Sequence, residues 1–284
     1  MDKLVLAVSG GVDSVVLLDI LSKHSDLELI VAHFDHGIRD DSADDAEFVA
    51  GLAKKHNLPF ETKREELGNK VSEETARDRR YEFLRGVASK YDAKLVTAHH
   101  ADDVIETIAI NLSRGTGWRG LSAMDSDIIR PLTDMTKLEI MDYAKKNKLT
   151  WRDDSTNASD DYLRNRIRRC LEKLDDDSKR QLLGLWAEQK NLKKEIDKEV
   201  QQLVIENRIS DGVVASYNRY FFTHVDETSA MECLRQIFGA LLTRPQMAKA
   251  LHAIKTSRPR KVFHAGNGIL LNFTSRNFKV ELLK

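Results

Sequence analysis

Two cysteines in 284 residues, Cys170 and Cys233, stand far apart in the chain. Their separation excludes a CxxC redox motif and a self-contained cysteine zinc site. Charge of one sign is missing as well. Lys and Arg number 45 against 45 Asp and Glu, for a formal net charge of zero, so attraction for a polyanion must come from local clusters. No apolar run approaches the ~20 residues that span a bilayer, and neither an internal repeat nor a low-complexity tract occurs. Together with an opening that runs from Asp2 and Lys3 directly into a strand-like segment, these gaps lead us to expect a cytoplasmic protein with no membrane or export signal. What is present, 41% hydrophobic and 32% charged residues, suits a packed globular chain long enough for two unequal domains.

Short apolar runs at 4–8, 28–33 and 94–98 read as strands buried on both faces, with a further strand at 128–132 ending on Pro131. Between and after them, helical patterns run over 15–21, 42–56, 72–91, 102–114 and 137–146, the last opened by a Thr136/Glu139 capping box. Strands alternating with helices predict a doubly wound parallel α/β sheet of Rossmann-like type. An amphipathic stretch at 178–207 predicts one long helix, which serves as a linker or as a homodimer surface. Two more helices (229–242, 243–256) and two strands (268–273, 278–282) complete the pattern. The expected domains are therefore 1–176 for catalysis, 177–208 as helical linker, and 209–284 as a small α+β domain.

Chemistry concentrates in the first of these. Ser9-Gly10-Gly11-Val12-Asp13-Ser14 lies between the first strand and the first helix. Its glycines let backbone approach an anion at a helix N-terminus, and its serines add hydroxyl donors. No Lys follows the glycines, so it is not a Walker loop. His33 to Arg39 (HFDHGIR) leaves the second strand at the edge where open parallel sheets bind ligands. On the helix that follows, Arg77 and Arg80 stand about one turn apart. In TAHHADDVIET (97–107), His99 and Asp103 are four apart and Asp103 and Glu106 three apart, so all three share one helix face. One His with two or three carboxylates makes a poor zinc site; Mg²⁺ carried with ATP suits it better. In DDSTNASDDYLRNRIRR (153–169), Asn157 sits in a turn-forming stretch, while Arg164 and Arg168 stand one helical turn apart, as bidentate phosphate contacts require.

SGGVDS resembles the pyrophosphate loop of the N-type ATP pyrophosphatases, the PP-loop superfamily. With RGTGWRGL (114–121), IIRPL and the segments above, the order of motifs resembles that of the tRNA(Ile)-lysidine synthetases over about the first 170 residues. That resemblance implies ATP-dependent joining of L-lysine to the wobble cytidine of the CAU-anticodon isoleucine tRNA: adenylation of the base with release of pyrophosphate, then displacement of AMP by the ε-amine. Carried over residue by residue, it implies that Ser9, Gly10, Gly11, Val12, Asp13 and Ser14 hold ATP with His33 and Arg39. It further implies that Asp13 holds Mg²⁺ or orients the polyphosphate, that Asp13, His99, Asp103, Asn157 and Arg168 are catalytic, and that Asp103, Glu106, Arg77 and Arg164 meet lysine or tRNA. His99 either donates to phosphate or shuttles a proton. The splayed base needs a stacking surface, for which Trp118, Arg119 and Trp151 are candidates. In the last domain, Lys255, Arg258, Arg260 and Lys261 form a basic patch expected to touch tRNA.

Two other readings share the loop. A tRNA thiolase would need clustered or persulfide cysteines, which Cys170 and Cys233 do not supply. A non-catalytic ATP-binding regulator would leave His99, Asp103, Arg164 and Arg168 without a purpose.

Overall fold

Leu4 and Leu6 alternate with Val5 along β1 (Asp2–Ala7), and the period of two sorts them onto opposite faces of a sheet. One face packs Leu4, Leu6, Leu29 and Val31 against α1 (Val12–Leu21), α2 (Ser42–Lys55) and α5 (Lys137–Lys146). The other packs Val5, Ile30 and Ala32 against Tyr81, Leu84 and Val87 of α3 (Glu73–Tyr91). Helices on both faces explain why the strands read as unbroken apolar runs. In this computed structural model, residues 2–37, 42–66, 71–124, 126–152, 163–171, 173–210 and 215–283 are described.

The sheet runs β3 (Phe60–Arg64), β2 (Leu27–Asp35), β1, β4 (Lys94–Val96), all parallel, with Val5 opposite Ile30 on one side and Leu95 on the other. The chain thus moves outward from β1 to β2 and β3, then returns to the opposite flank of β1. Strand order reverses between β1 and β4, which is where open α/β sheets form a ligand crevice at their carboxyl edge. The doubly wound sheet matches the sequence expectation, with two differences. β3 was not anticipated, because FETKR lacks apolar alternation. The expected strand at 128–132 reduces to one parallel bridge, Val96 to Ile129, followed by a 3₁₀ turn at Pro131–Asp134. Pro131 has no N–H to continue a ladder.

By contacts the chain divides into residues 1–190 and 191–284. The first unit also holds α4 (Ala101–Ser113) and α6 (Leu163–Leu171). α7 (Asp176–Glu206) contributes to both units: Trp186 packs with Val104 and Ile108 of α4, whereas Val200 joins the core of the second unit.

That second core gathers Phe222, Leu234, Ile254, Leu271 and Phe278 between an antiparallel sheet and three helices. The strands are β5 (Arg208–Ser210), β6 (Ala215–Asn218), β7 (Val262–Gly266), β8 (Ile269–Phe273) and β9 (Asn277–Leu282), in the order β5-β6-β9-β8-β7. The helices are α8 (Arg219–His224), α9 (Glu227–Phe238) and α10 (Arg244–Thr256). α10 opens on a Thr243/Gln246 capping box, with Thr243 N–H donating to Gln246 Oε1 at 2.8 Å.

Candidate active site

Residues 9–14 turn the chain from β1 into α1. Ser14 is buried and organises the turn: its Oγ accepts from the N–H groups of Ser9 and Gly10, each at 3.2 Å, and donates to the Gly11 carbonyl at 2.8 Å. Gly10 takes φ +95°, a conformation that a side chain disfavours, and a Cβ there would meet Phe48 and Val49 at 3.5 Å. Its carbonyl accepts from Arg152 N–H at 3.0 Å, and the Arg152 guanidinium grips Asp45 at 2.7 Å, so α2 buttresses the loop. Val12 lies in the core, leaving only its backbone for a ligand. The first N–H groups of α1, from Val12 to Ser14, have no acceptor within the helix and form an anion site at the crevice.

Across the crevice, the turn after β4 supplies His99, His100 and the head of α4. His99 Nδ1 meets Thr97 Oγ1 at 2.8 Å. Burial lowers the His99 pKa to about 4, helped by the charges of Arg130, Arg77 and Arg80, against the opposing pull of Asp103. The imidazole is therefore neutral at pH 7. His100 differs. Burial acts against its charge, but a hydrogen bond to Asp102 and the charges of Asp103 and Asp13 outweigh it and raise the pKa. His100 in turn holds the Asp102 carboxyl well below its usual range. The Asp103 carboxylate accepts from His100 N–H at 3.0 Å and closes the first turn of α4.

Two cations meet this acidic ground. Lys137 Nζ lies 2.5 Å from Asp13 Oδ1, and the Lys137 N–H donates to Asp102 at 2.7 Å, so the head of α5 joins the loop to the β4 turn. Arg168 on α6 donates to Glu106 through Nε at 3.2 Å, with its terminal nitrogen at 3.1 Å. The Glu106 side chain is only 3% exposed while that of Arg168 is 44% exposed. A buried carboxylate thus anchors a guanidinium whose outer face stays open.

Of the expected site residues, Asp13, His99, Asp103, Glu106 and Arg168 come together at the β1/β4 edge, with Arg77 close enough to oppose protonation of His99. As placed, Glu106 positions Arg168 rather than presenting a carboxylate to an amine. His33 is buried; its Nδ1 meets the Val8 carbonyl at 2.8 Å, and its Nε2 has no partner among the described residues. Trp118 carries the Arg119 guanidinium 4.5 Å above its ring, whereas Trp151 packs partly into the core beneath the loop. Arg39, Asn157 and the Arg164 side chain lie outside the described residues.

Lys137, His100 and Arg152 were missed. In sequence, Lys137 shows only as the first residue of a capped helix, 124 positions from Asp13. No local pattern reports that distance; the order of the strands does.

The PP-loop domain, an ATP-binding family, matches residues 1–174. A tRNA(Ile)-lysidine synthase of Thermotoga maritima is 39% identical over 180 residues, covering 59% of this chain and 44% of that protein. One of Geobacter sulfurreducens is 40% identical over 185 residues, covering 60% and 39%. The chain spans less than half the length of these curated relatives. Among solved structures, a U34-tRNA thiolase of Methanococcus maripaludis with its 4Fe-4S cluster aligns at TM-score 0.56 and 19% identity, covering 66% of this chain and 71% of that one, a likeness of fold. Because the family match takes in the whole parallel sheet and the crevice at its edge, the chain belongs to the PP-loop family.

Proposed function

We propose that this chain joins L-lysine to the wobble cytidine of the CAU-anticodon isoleucine tRNA, in the cytoplasm, with cleavage of ATP to AMP and pyrophosphate. The observation that carries the reading is the pair of features the parallel fold supplies, a turn shaped for phosphate between β1 and α1 and an open guanidinium anchored by a buried carboxylate of α4. Family membership and the names of the relatives support ATP and tRNA as substrates.

In this mechanism the α1 N-terminus, the Ser9 hydroxyl and Lys137 hold the β and γ phosphates, while Ser14 keeps the loop in shape for them. His33 Nε2, buried and unpartnered, is a polar atom that a bound nucleotide would satisfy. Among the described residues no three His, Cys, Asp or Glu side chains gather as a cation cage. The donor set fits a Mg²⁺ ion carried mainly by phosphate oxygens, with Asp13 as its protein carboxylate. Bound there, the ion would neutralise charge on the β and γ phosphates. The cytosine C2 oxygen attacks the α-phosphorus and pyrophosphate leaves. Arg168 meets the negative charge that grows on the α-phosphate, its plane fixed by Glu106. Neutral His99 donates a hydrogen bond rather than a charge. The lysine ε-amine, drawn by Asp103, then attacks C2, gives up a proton and displaces AMP. Arg39, Asn157, Arg77 and Arg164 enter as substrate or catalytic contacts on the resemblance alone, as does tRNA contact by residues 209–284.

Sulfur transfer has less support. Cys233 is buried, and burial, then Glu232 and Asp226, push its thiol up to about 11, which disfavours the thiolate that persulfide chemistry uses; Cys170 is exposed but lies in the first unit, so neither unit carries the two cysteines of a clustered pair. To test ligation, the chain is incubated with ATP, labelled lysine and a CAU-anticodon isoleucine tRNA transcript. Label in acid-insoluble RNA that depends on ATP is the expected result; unlabelled RNA with intact transcript refutes it.

A further inference from the structure

A cavity of about 610 Å³ opens in the second unit, lined by Tyr220, Lys255, Arg276, Asn218 and Thr223 among others, with no Asp or Glu among the described residues of its wall. Its size falls within the ~300–1,000 Å³ of small-ligand sites. Its construction is specific. Arg219 is buried beside it and donates to the carbonyls of Ile254 at 2.6 Å, Ser257 at 2.5 Å and Thr274 at 3.2 Å, while its own N–H donates to the Arg276 carbonyl at 2.8 Å. One buried guanidinium therefore ties the end of α10 to the β8–β9 turn. Those two segments carry Lys255 and Arg276, both exposed, and neither forms an ion pair among the described residues. Two cations on the lining of one cavity, neither in an ion pair among the described residues, suit an anion held there.

The second feature is a flat ring. Tyr220 is 67% exposed, unusually so for its size, and His224 stacks on it at 3.8 Å between centroids and 25° between planes. One face is thereby braced and the other left open, which is the form of a base-stacking platform.

We infer that this cavity is a second nucleotide site, which takes one unpaired nucleotide of an RNA strand, with its base on Tyr220 and its phosphate between Lys255 and Arg276. The choice of an RNA strand over a free nucleotide rests on the proposed function; the ring, the cations and the cavity do not. The site gives Lys255 partners quite different from Arg258, Arg260 and Lys261, its neighbours in the basic sequence patch.

The test measures binding of a labelled, unstructured RNA to the full chain across salt concentrations. Tyr220→Ala should weaken binding about ten-fold and Tyr220→Trp should retain it, since stacking tolerates any flat ring. Lys255→Glu with Arg276→Glu should flatten the log-log salt slope by roughly one to two. MgATP binding should stay unchanged in all three, with intact circular dichroism spectra. Wild-type affinity and slope in both the Tyr220→Ala and the double variant would overturn the inference. Tyr220-dependent binding of CMP or AMP with none of RNA would overturn the strand. If lysine transfer fails while Tyr220-dependent RNA binding persists, the ligation reading falls and this site stands. Transfer intact with unaltered RNA binding in both Tyr220→Ala and the double variant sinks this site alone.

Discussion

The two units assemble their polar residues by opposite routes. In the first, parallel crossovers draw Asp13, His100, Asp103, Lys137 and Arg168 from distant parts of the chain to one sheet edge, and contacts such as Lys137 to Asp13 span 124 positions. In the second, antiparallel neighbours and short helices bring Arg219 to Ile254, Ser257 and Thr274 across 35 to 55 positions. The first route places chemistry in a crevice walled by strand ends and helix termini. The second builds a rim on the surface, where recognition rather than bond-making is the natural use. In this chain the parallel order gathers distant polar groups at one edge, and the antiparallel order ties nearer segments together at a surface rim.

That contrast can be broken by emptying one core without the other. Phe222, 0% exposed in the second unit, should lose about 3–5 kcal/mol on replacement by alanine. MgATP binding by the folded chain should remain, and calorimetry with ATP titration checks both. An equal loss of ATP binding would mean that the sheet edge depends on the second core.

A sharper cut falls within the crevice. Arg168→Ala should slow adenylation about 100-fold or more while changing the affinity for ATP only a few-fold, because its charge acts as negative charge develops. It also strips Glu106, so unfolding should become easier by roughly 1–3 kcal/mol, discounted for the exposure of Arg168. Adding Glu106→Gln should restore much of that stability and none of the rate. Restoration of both would make Arg168 a purely structural residue.

Gly10→Ala comes next. With φ at +95° the change should cost roughly 1–2 kcal/mol and weaken ATP binding, read by thermal shift with and without nucleotide. Stability also depends on pH. The His99 pKa is lowered from 6.5 to about 4 by burial, so between those values the unfolded chain binds more protons and stability falls as pH drops. Above about 6.5 the imidazole is neutral in both states and contributes no slope. His99→Asn should flatten the denaturation midpoint against pH in that window and leave it unchanged above.

Much of the crevice was legible because its parts are contiguous strings. The loop at 9–14 declares itself by two glycines between a strand and a helix, and α4 by an acidic first turn. Legibility ended where packing decides. Glu106 reads as a carboxylate that shares a helix face with Asp103 and meets the substrate, and only the fold shows it buried against Arg168. β3 hides because its residues are half-buried or exposed and carry no alternation. Arg219 hides for the opposite reason: a buried arginine held by carbonyls looks, in sequence, like any surface cation.

If the β1/β4 edge is the ligation centre, it cleaves ATP between its α and β phosphates. Separating the products of α-labelled ATP after incubation with the chain, lysine and the isoleucine tRNA tests it most directly. The expected result is AMP, formed only with tRNA present, lost in Asp13→Ala and strongly reduced in Lys137→Met, both with unchanged circular dichroism. ADP as the product, or AMP formed at the wild-type rate by Asp13→Ala, would contradict it.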